Sequence, residues 1–261
     1  MKPENITVLI HTHNEEKNIK ECIDSAKKLS DTIIVVDMES SDRTIEIATA
    51  EGVAIASFPF LHYVEPARAF GITSAKTDWV FILDADERIT KELSEEIQQI
   101  IHNQTSQTHY KIPRKNIFGR QKWLKHGGWW PDHQMRFLNK KAFREWPDRI
   151  HSTPVIEGEM GYLQNPILHY FHGDIEQMVN KTIVFEGIES ELLFKAGRPV
   201  KTLTFFRKFF GELFRRLILK KGIMDGTIGI IESFYQAYSK TITYLFLYEK
   251  YYNKRKKSSS V

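Results

Sequence analysis

The chain runs to 261 residues with a formal charge of +4 and one cysteine, Cys22. Such a length holds one large domain or a domain with an appendage, and a lone thiol excludes a disulfide framework and suits a reducing compartment. The charge is unevenly spread: Lys195 to Lys221 carries nine Lys or Arg against one Glu, so the basic character belongs to one region.

The opening MKPENITVLI has no apolar stretch followed by a small-residue cleavage site, and no signal peptide is expected. Ile6 to His11 reads as a short apolar strand. Asn14 then stands where a helix cap belongs, with Glu15 and Glu16 at the positive end of the dipole, and Ile19, Cys22, Ile23, Ala26 and Leu29 follow at helical spacing. Thr32 to Asp37 is a second strand, β-branched and ending in an acid. Ser40, Ser41 and Asp42 supply turn and cap residues for a helix to Ala50, which Gly52 ends. Val53 to Phe58 makes a third strand and Pro66 to Lys76 a third helix. Strands alternating with helices predict a parallel sheet with right-handed crossovers.

The fourth strand lies in DWVFILDADE, Asp78 to Glu87. Trp79 to Leu83 is a continuous run of apolar strand formers, and it ends in two carboxylates separated by one alanine. Residues i and i+2 of an extended segment point the same way, so Asp84 and Asp86 are expected to face one site at the carboxyl edge, where open α/β sheets bind ligands. Mg²⁺ or Mn²⁺ suits such a pair, because these ions take one or two carboxylates and leave their other positions to water and phosphate. A solvated acidic turn is the alternative reading of the same triplet. No GxGxxG and no GxxxxGK occurs, so phosphate is not expected on a bare helix N-terminus and a metal has more of that work to do. Asp37 would share the edge, where an acid can accept from a ribose hydroxyl or a base N–H.

VLIHTHNEE, IIVVDMESSDRT, the Arg68 segment before TDWVFILDADE, and GGWWPDHQMRF occur in this order over residues 5 to 140. Together they resemble the family 2 nucleotide-sugar glycosyltransferases with the GT-A fold, a Rossmann-like, mostly parallel α/β sheet. RPVKTLTFFRKFF and KKGIMDG resemble, more loosely, the C-terminal region of lipopolysaccharide core glycosyltransferases of the WaaE type. The resemblance implies that Thr12, Asn14 and Glu15 line the donor cleft, Asp37 binds base or ribose, and Arg68 faces the donor phosphates. It also implies that Asp84 contacts ribose or metal-bound water and that Asp86 ligates the metal. For Asn14 and Glu15, helix capping alone is the competing role.

WWPDHQMR, Trp129 to Arg136, is the second chemical centre. A sugar hydroxyl is a weak acid and needs a positioned base to attack an anomeric carbon. Asp132 is the candidate, with Asp148 in WPDRI as its rival. Trp129 and Trp130 either form a platform for a sugar ring or belong to the core, and Arg136 is placed to pair with phosphate. His151 falls where resembling enzymes carry His followed by Glu in an acceptor-binding pair, but Ser152 follows here. His169 in ILHYFH is either a late metal ligand or a structural strand histidine.

Asp174 is placed to cap a helix to Ala196, with Gly197 as its stop and Pro199 opening the next. From Val200 to Leu219, Leu203, Phe206, Phe209, Phe210, Leu213, Phe214 and Leu217 fall on one side, and Arg207, Lys208, Arg215 and Arg216 on the other. That is the pattern of an interfacial membrane helix, and equally of an amphipathic helix packed on a catalytic domain or serving a homodimer. A further helix spans Thr227 to Tyr252. No segment has the roughly 18 consecutive apolar residues of a spanning helix. The aromatics lie opposite the charges rather than among them, so no nucleic-acid partner is expected.

The expected organisation is a GT-A catalytic domain over 1–172, a helical membrane-associating or dimerising region over 173–252, and a disordered basic tail over 253–261. The expected reaction is inverting, metal-dependent transfer of a sugar from a nucleotide sugar, with UDP the favoured nucleotide, to a saccharide or glycolipid acceptor. The place expected is the cytoplasmic face of the membrane, held peripherally.

Overall fold

The computed structural model describes residues 5–149, 152–171 and 175–258. The chain divides into two units, Met1–Lys115 with Pro131–Tyr170, and Asn116–Trp130 with Phe171–Val261. The second unit therefore draws in an excursion from the middle of the sequence, which the expected boundary at 172 does not include.

The first unit begins with the alternation read from the sequence: β1 (Ile6–Thr12), α1 (Ile19–Ala26), β2 (Ile33–Asp37), α2 (Thr44–Ala50), β3 (Ala54–Ser57), α3 (Glu65–Ser74) and β4 (Trp79–Asp84). These strands pair in parallel in the order β3-β2-β1-β4. Every residue of β1 is buried, which explains why its apolar residues, Ile6 and Val8 to Ile10, do not alternate with exposed polar ones. Its side chains alternate between two cores. Ile6, Val8 and Ile10 pack with Phe81, Leu83 and the α1 residues Ile19, Cys22, Ile23 and Ala26, while Leu9 joins Val80, Ile82 and Ile72 on the other face.

Beyond β4 come β5 (Glu87–Arg88), α4 (Lys91–Asn103), β6 (Gln107–Phe118), β7 (Lys122–Trp123), β8 (Asp132–Asn139), β9 (Phe143–Glu145), β10 (Val155–Ile156), β11 (Glu159–Tyr162) and β12 (Ile167–Phe171). The sheet continues β4-β8-β6-β12-β5. Here β4–β8, β6–β8 and β5–β12 are antiparallel, so parallel pairing is concentrated in the first half, with β11 running parallel to β6. Thr90 caps α4 by accepting the Leu93 N–H at 3.1 Å.

The second unit carries α5 (Ile175–Lys195), α6 (Thr202–Phe214) and α7 (Gly226–Ser258). Asp174, the expected cap of α5, lies outside the described residues. Gly197 ends α5 as read, at φ +66, with its own N–H bonded to the Phe194 carbonyl and that of Arg198 to the Leu193 carbonyl, the two bonds of a Schellman motif. Buried Glu186 of α5 accepts from the hydroxyls of Ser239 and Thr243 on α7. Helix α7 continues to Ser258, through residues that the sequence assigns to a disordered tail. Among the described residues no helix is long and apolar enough to cross a membrane.

Helix α6 is apolar on more than one side. Phe205 meets the Tyr248 ring edge-on at 6.3 Å, whereas Leu203, Phe206, Phe210 and Phe214 are exposed. Trp130 stands edge-on to Trp123 at 5.4 Å, and Trp129 packs on Phe171 with the Arg216 guanidinium 5.7 Å from its ring centre. Both tryptophans thus have aromatic contacts inside the second unit. His126 joins them there with two contacts to buried Asp225: its backbone N–H donates to Oδ2 at 2.7 Å and its Nδ1 lies 2.8 Å from Oδ1.

Candidate active site

The parallel strands set their last residues side by side. Thr12 of β1 is in register with Asp37 of β2, and His11 with Asp84 of β4; neighbouring strands lie about 4.8 Å apart. Asp37 is buried and accepts from the Ser40 backbone N–H at 2.9 Å and the Ser40 hydroxyl at 2.6 Å, so it closes its own turn. Thr12 is also buried, and its Oγ1 has no hydrogen-bond partner. A buried hydroxyl without a partner is costly, which leaves this one ready to bond at the sheet edge.

Asn14 does not cap α1, which starts only at Ile19. It sits at φ +54, a conformation that asparagine tolerates better than most side chains. Its Oδ1 accepts from the Ser41 N–H at 2.7 Å and its own N–H donates to Ser40 Oγ at 2.9 Å, which fastens the loop after β1 to the loop after β2. Glu15 supports the same junction. Its N–H donates to Thr44 Oγ1 at 2.8 Å, and its carboxylate accepts from Asn18 Nδ2 at 2.7 Å.

Asp84 and Asp86 do not share one direction. β4 stops at Asp84 and the chain turns, so the two-residue period of an extended strand no longer applies. Asp84 is held by arginines: Arg68 Nη2 donates to both its oxygens at 2.8 Å, and Arg136 Nη2 to Oδ2 at 2.5 Å. Burial pushes its carboxyl up, but Arg136 and Arg68 outweigh that and hold it well below the usual carboxylate range. Burial, aided by Arg68, pushes neighbouring His11 down to about 3, so its ring is neutral. Its Nε2 lies 3.3 Å from the Ala67 carbonyl and must be the donor there.

Arg136 departs from the sequence expectation. Rather than facing a phosphate, it is 2 % exposed and also donates to Glu87 Oε1 at 2.7 Å. Glu87 is fully buried; its Oε2 accepts the Asp84 N–H at 3.0 Å and its Oε1 also receives Arg114 at 3.3 Å. Arg114 in turn binds Asp132 through Nε at 2.9 Å and Nη2 at 2.8 Å. Arg68, Asp84, Arg136, Glu87, Arg114 and Asp132 therefore form one chain of alternating charge. Charged groups out of water persist only when paired in this way.

Sequence reasoning missed Glu87 and Arg114. Glu87 had a visible signal, a third acid directly after the DxD triplet. Arg114 had none, because only the β6–β8 register, which places it opposite Asp132, brings it into the site.

The turn after β4 is shaped by buried Arg88, which donates to the carbonyls of Ala85 and Glu87, each at 2.8 Å. β5 then pairs with β12, with Glu87 opposite His169. That pairing brings His169 Nε2 to 3.3 Å from Asp86 Oδ2, and the Tyr170 N–H donates to the Asp86 carbonyl at 2.9 Å. The two residues singled out as metal ligands are thus adjacent. Among the described residues no third His, Cys, Asp or Glu completes a cluster. One carboxylate and one imidazole are a donor pair that would hold a divalent ion such as Mg²⁺ or Mn²⁺, which needs only one or two protein ligands.

Asp132 opens β8 and also accepts from Gln134 Nε2 at 2.6 Å, through Oδ1. The rival Asp148 accepts from the Tyr63 hydroxyl at 2.6 Å, on an exposed part of the first unit. His151 lies outside the described residues.

The Glycosyl transferase family 2 profile matches residues 7–157, more than half of the chain. The chain belongs to that family. This family 2 glycosyltransferase is 27 % identical over 245 residues to an uncharacterized glycosyltransferase of Rickettsia bellii, covering 90 % of this chain and 83 % of that one. It is 23 % identical over 254 residues to the lipopolysaccharide core biosynthesis glycosyltransferase LpsC of Rhizobium meliloti, covering 91 % and 90 %. Among solved structures, S. aureus TarS residues 1–349 in complex with UDP-GlcNAc is similar with a TM-score of 0.49 at 15 % identity, covering 97 % of this chain and 92 % of that one.

Proposed function

We propose that this glycosyltransferase moves a sugar, with inversion, from a nucleotide-sugar donor to a hydroxyl of a lipid-linked saccharide at the cytoplasmic face of a membrane. The observation that carries the reading is the arrangement of one sheet edge: Thr12 beside Asp37, and Asp86 within 3.3 Å of His169. The name of the LpsC relative supports a lipopolysaccharide core acceptor, and UDP is the first nucleotide to test.

In this reading Thr12 and Asp37 meet the nucleoside, and the Asn14–Ser41 bond fixes the loop above them. A divalent ion held by Asp86 and His169 would neutralise charge on the departing diphosphate. Asp132 takes the acceptor's proton, and Arg114 fixes the direction of that carboxylate. Asp84, with Arg68 and Arg136, holds the end of β4 rigid beneath the site.

The test is release of nucleoside diphosphate from a panel of nucleotide sugars with Mn²⁺, with and without a lipid-linked saccharide. The reading predicts release that needs the ion and is lost in Asp86→Ala. Release that persists in Asp86→Ala, or none from any nucleotide sugar, would contradict it.

A further inference from the structure

In the second unit, the first turn of α6 borders a cleft of about 300 Å³ whose lining includes Arg198, Lys201, Leu203, Thr204, Arg207 and Tyr244. Among the described residues none of Arg198, Lys201 and Arg207 has a carboxylate partner. The contrast with the rest of the region is sharp. Arg215 and Arg216, at the other end of the same helical run, both bind Glu212, and Lys195 pairs with Glu191. Lys208 does not fill the gap either, since its Nζ lies 4.8 Å from the Tyr244 ring centre. Thr204 Oγ1 accepts the Lys201 N–H at 3.3 Å, which leaves its own proton free to donate. A cleft with three unneutralised cations, a hydroxyl donor and a helix N-terminus has the chemistry of an anion site.

The cleft adjoins an apolar row. Leu203 is 74 % exposed and Phe206, Phe210 and Phe214 follow it at intervals of three, four and four residues, each more than half exposed. That spacing puts them on one face, while Phe205 faces inward against Tyr248. A free phosphate ion would satisfy the cleft but leave the phenylalanines in water. A second copy of the chain would cover the phenylalanines but bring another set of unpaired cations into the same interface. One occupant satisfies both features at once.

We propose that the cleft seats the phosphate of an anionic lipid, with Phe206, Phe210 and Phe214 entering the acyl region beside it. This rests on the membrane-side part of the function proposed above and adds to it a specific headgroup contact. Helix α6 then lies in the interface plane as an amphipathic anchor, its cations fixing position as well as adding attraction.

The experiment is co-sedimentation of the full chain with vesicles of phosphatidylcholine alone or mixed with phosphatidylglycerol. Three proteins are compared: the parent, the combined Arg198→Ala, Lys201→Ala and Arg207→Ala variant, and a control with Lys181→Ala, Lys220→Ala and Lys240→Ala. The parent binds the mixed vesicles far more tightly than the neutral ones. The cleft variant loses about 100-fold on mixed vesicles, while the control loses much less and inorganic phosphate at millimolar concentration does not displace the parent. Equal losses in cleft and control variants would overturn the headgroup site in favour of general attraction, and leave the membrane reading standing. Displacement by phosphate would overturn the lipid assignment. No vesicle binding at all, with a dimer that Phe206→Ser and Phe210→Ser dissolve, would overturn both this inference and the membrane reading.

Discussion

Arg136→Ala separates a structural arginine from a phosphate ligand. Arg136 is 2 % exposed and joins Asp84 to fully buried Glu87; without it Glu87 keeps only Arg114, at 3.3 Å, as a cation partner. Removing one member of a buried ion pair leaves an uncompensated charge and costs about 3–5 kcal/mol. For a chain of this size each kcal/mol lowers the melting temperature by roughly 2–4 °C, so a fall on the order of 6–20 °C is expected. Arg136→Lys, which keeps a positive charge but cannot bridge both carboxylates in a fixed plane, should fall between the variant and the parent. Thermal unfolding followed by circular dichroism measures the loss, and calorimetry with the donor nucleotide measures binding at a temperature where every protein is folded. Should Arg136→Ala melt within about 2 °C of the parent and yet lose nucleotide affinity, the buried network would be the wrong account and the guanidinium would belong to the donor.

Asp132→Asn removes the proposed proton acceptor while keeping an acceptor for Arg114, so kcat should drop by about 10²–10⁴ with little change in melting temperature; steady-state assays with saturating donor decide it. Asp148→Asn should stay within about three-fold of the parent in the same assay, since the proton-transfer contribution is assigned elsewhere. Glu232 is buried in α7, and burial pushes its carboxyl from 4.5 up to about 7, Arg216 and Gln236 offsetting only part of that. Its folded pKa being raised, the associated stability is fully present below pH 4.5 and is lost as pH rises through about 7. At about 1.4 kcal/mol per unit the whole effect is about 3 kcal/mol. Urea titrations at pH 5 and pH 8 should show Glu232→Gln gaining at pH 8 relative to the parent, and an equal effect at both pH values would refute a buried titrating carboxyl.

The sequence made the strand–helix alternation legible because β1, β2 and β4 are short, largely buried apolar segments bounded by turn residues, and β1 and β4 feed two cores with alternate side chains. Boundaries were less legible where a side chain had another use. Asn14 looks like a helix cap, yet its Oδ1 is spent on Ser41 across a loop junction that only the β1–β2 pairing creates. Asp84 and Asp86 looked alike, but the turn after Asp84 sends one to the arginines and the other to His169. Arg136 resembled a ligand because a local motif gives no sign of the buried Glu87 beside it. The apolar residues of α6 gave a single stripe by periodicity, whereas α7 covers Phe205 and leaves Phe206 and Phe210 outside. In each case the deciding partner is far away in the chain.

Calorimetric titration of Mn²⁺ into the protein, with and without uridine diphosphate, tests most directly whether Asp86 and His169 hold an ion that carries the donor diphosphate. The account predicts that nucleotide and ion each tighten binding of the other by about ten-fold or more, and that Asp86→Ala and His169→Ala each abolish this coupling while the fold is retained. Unchanged coupling in both variants would place the ion elsewhere and contradict the account.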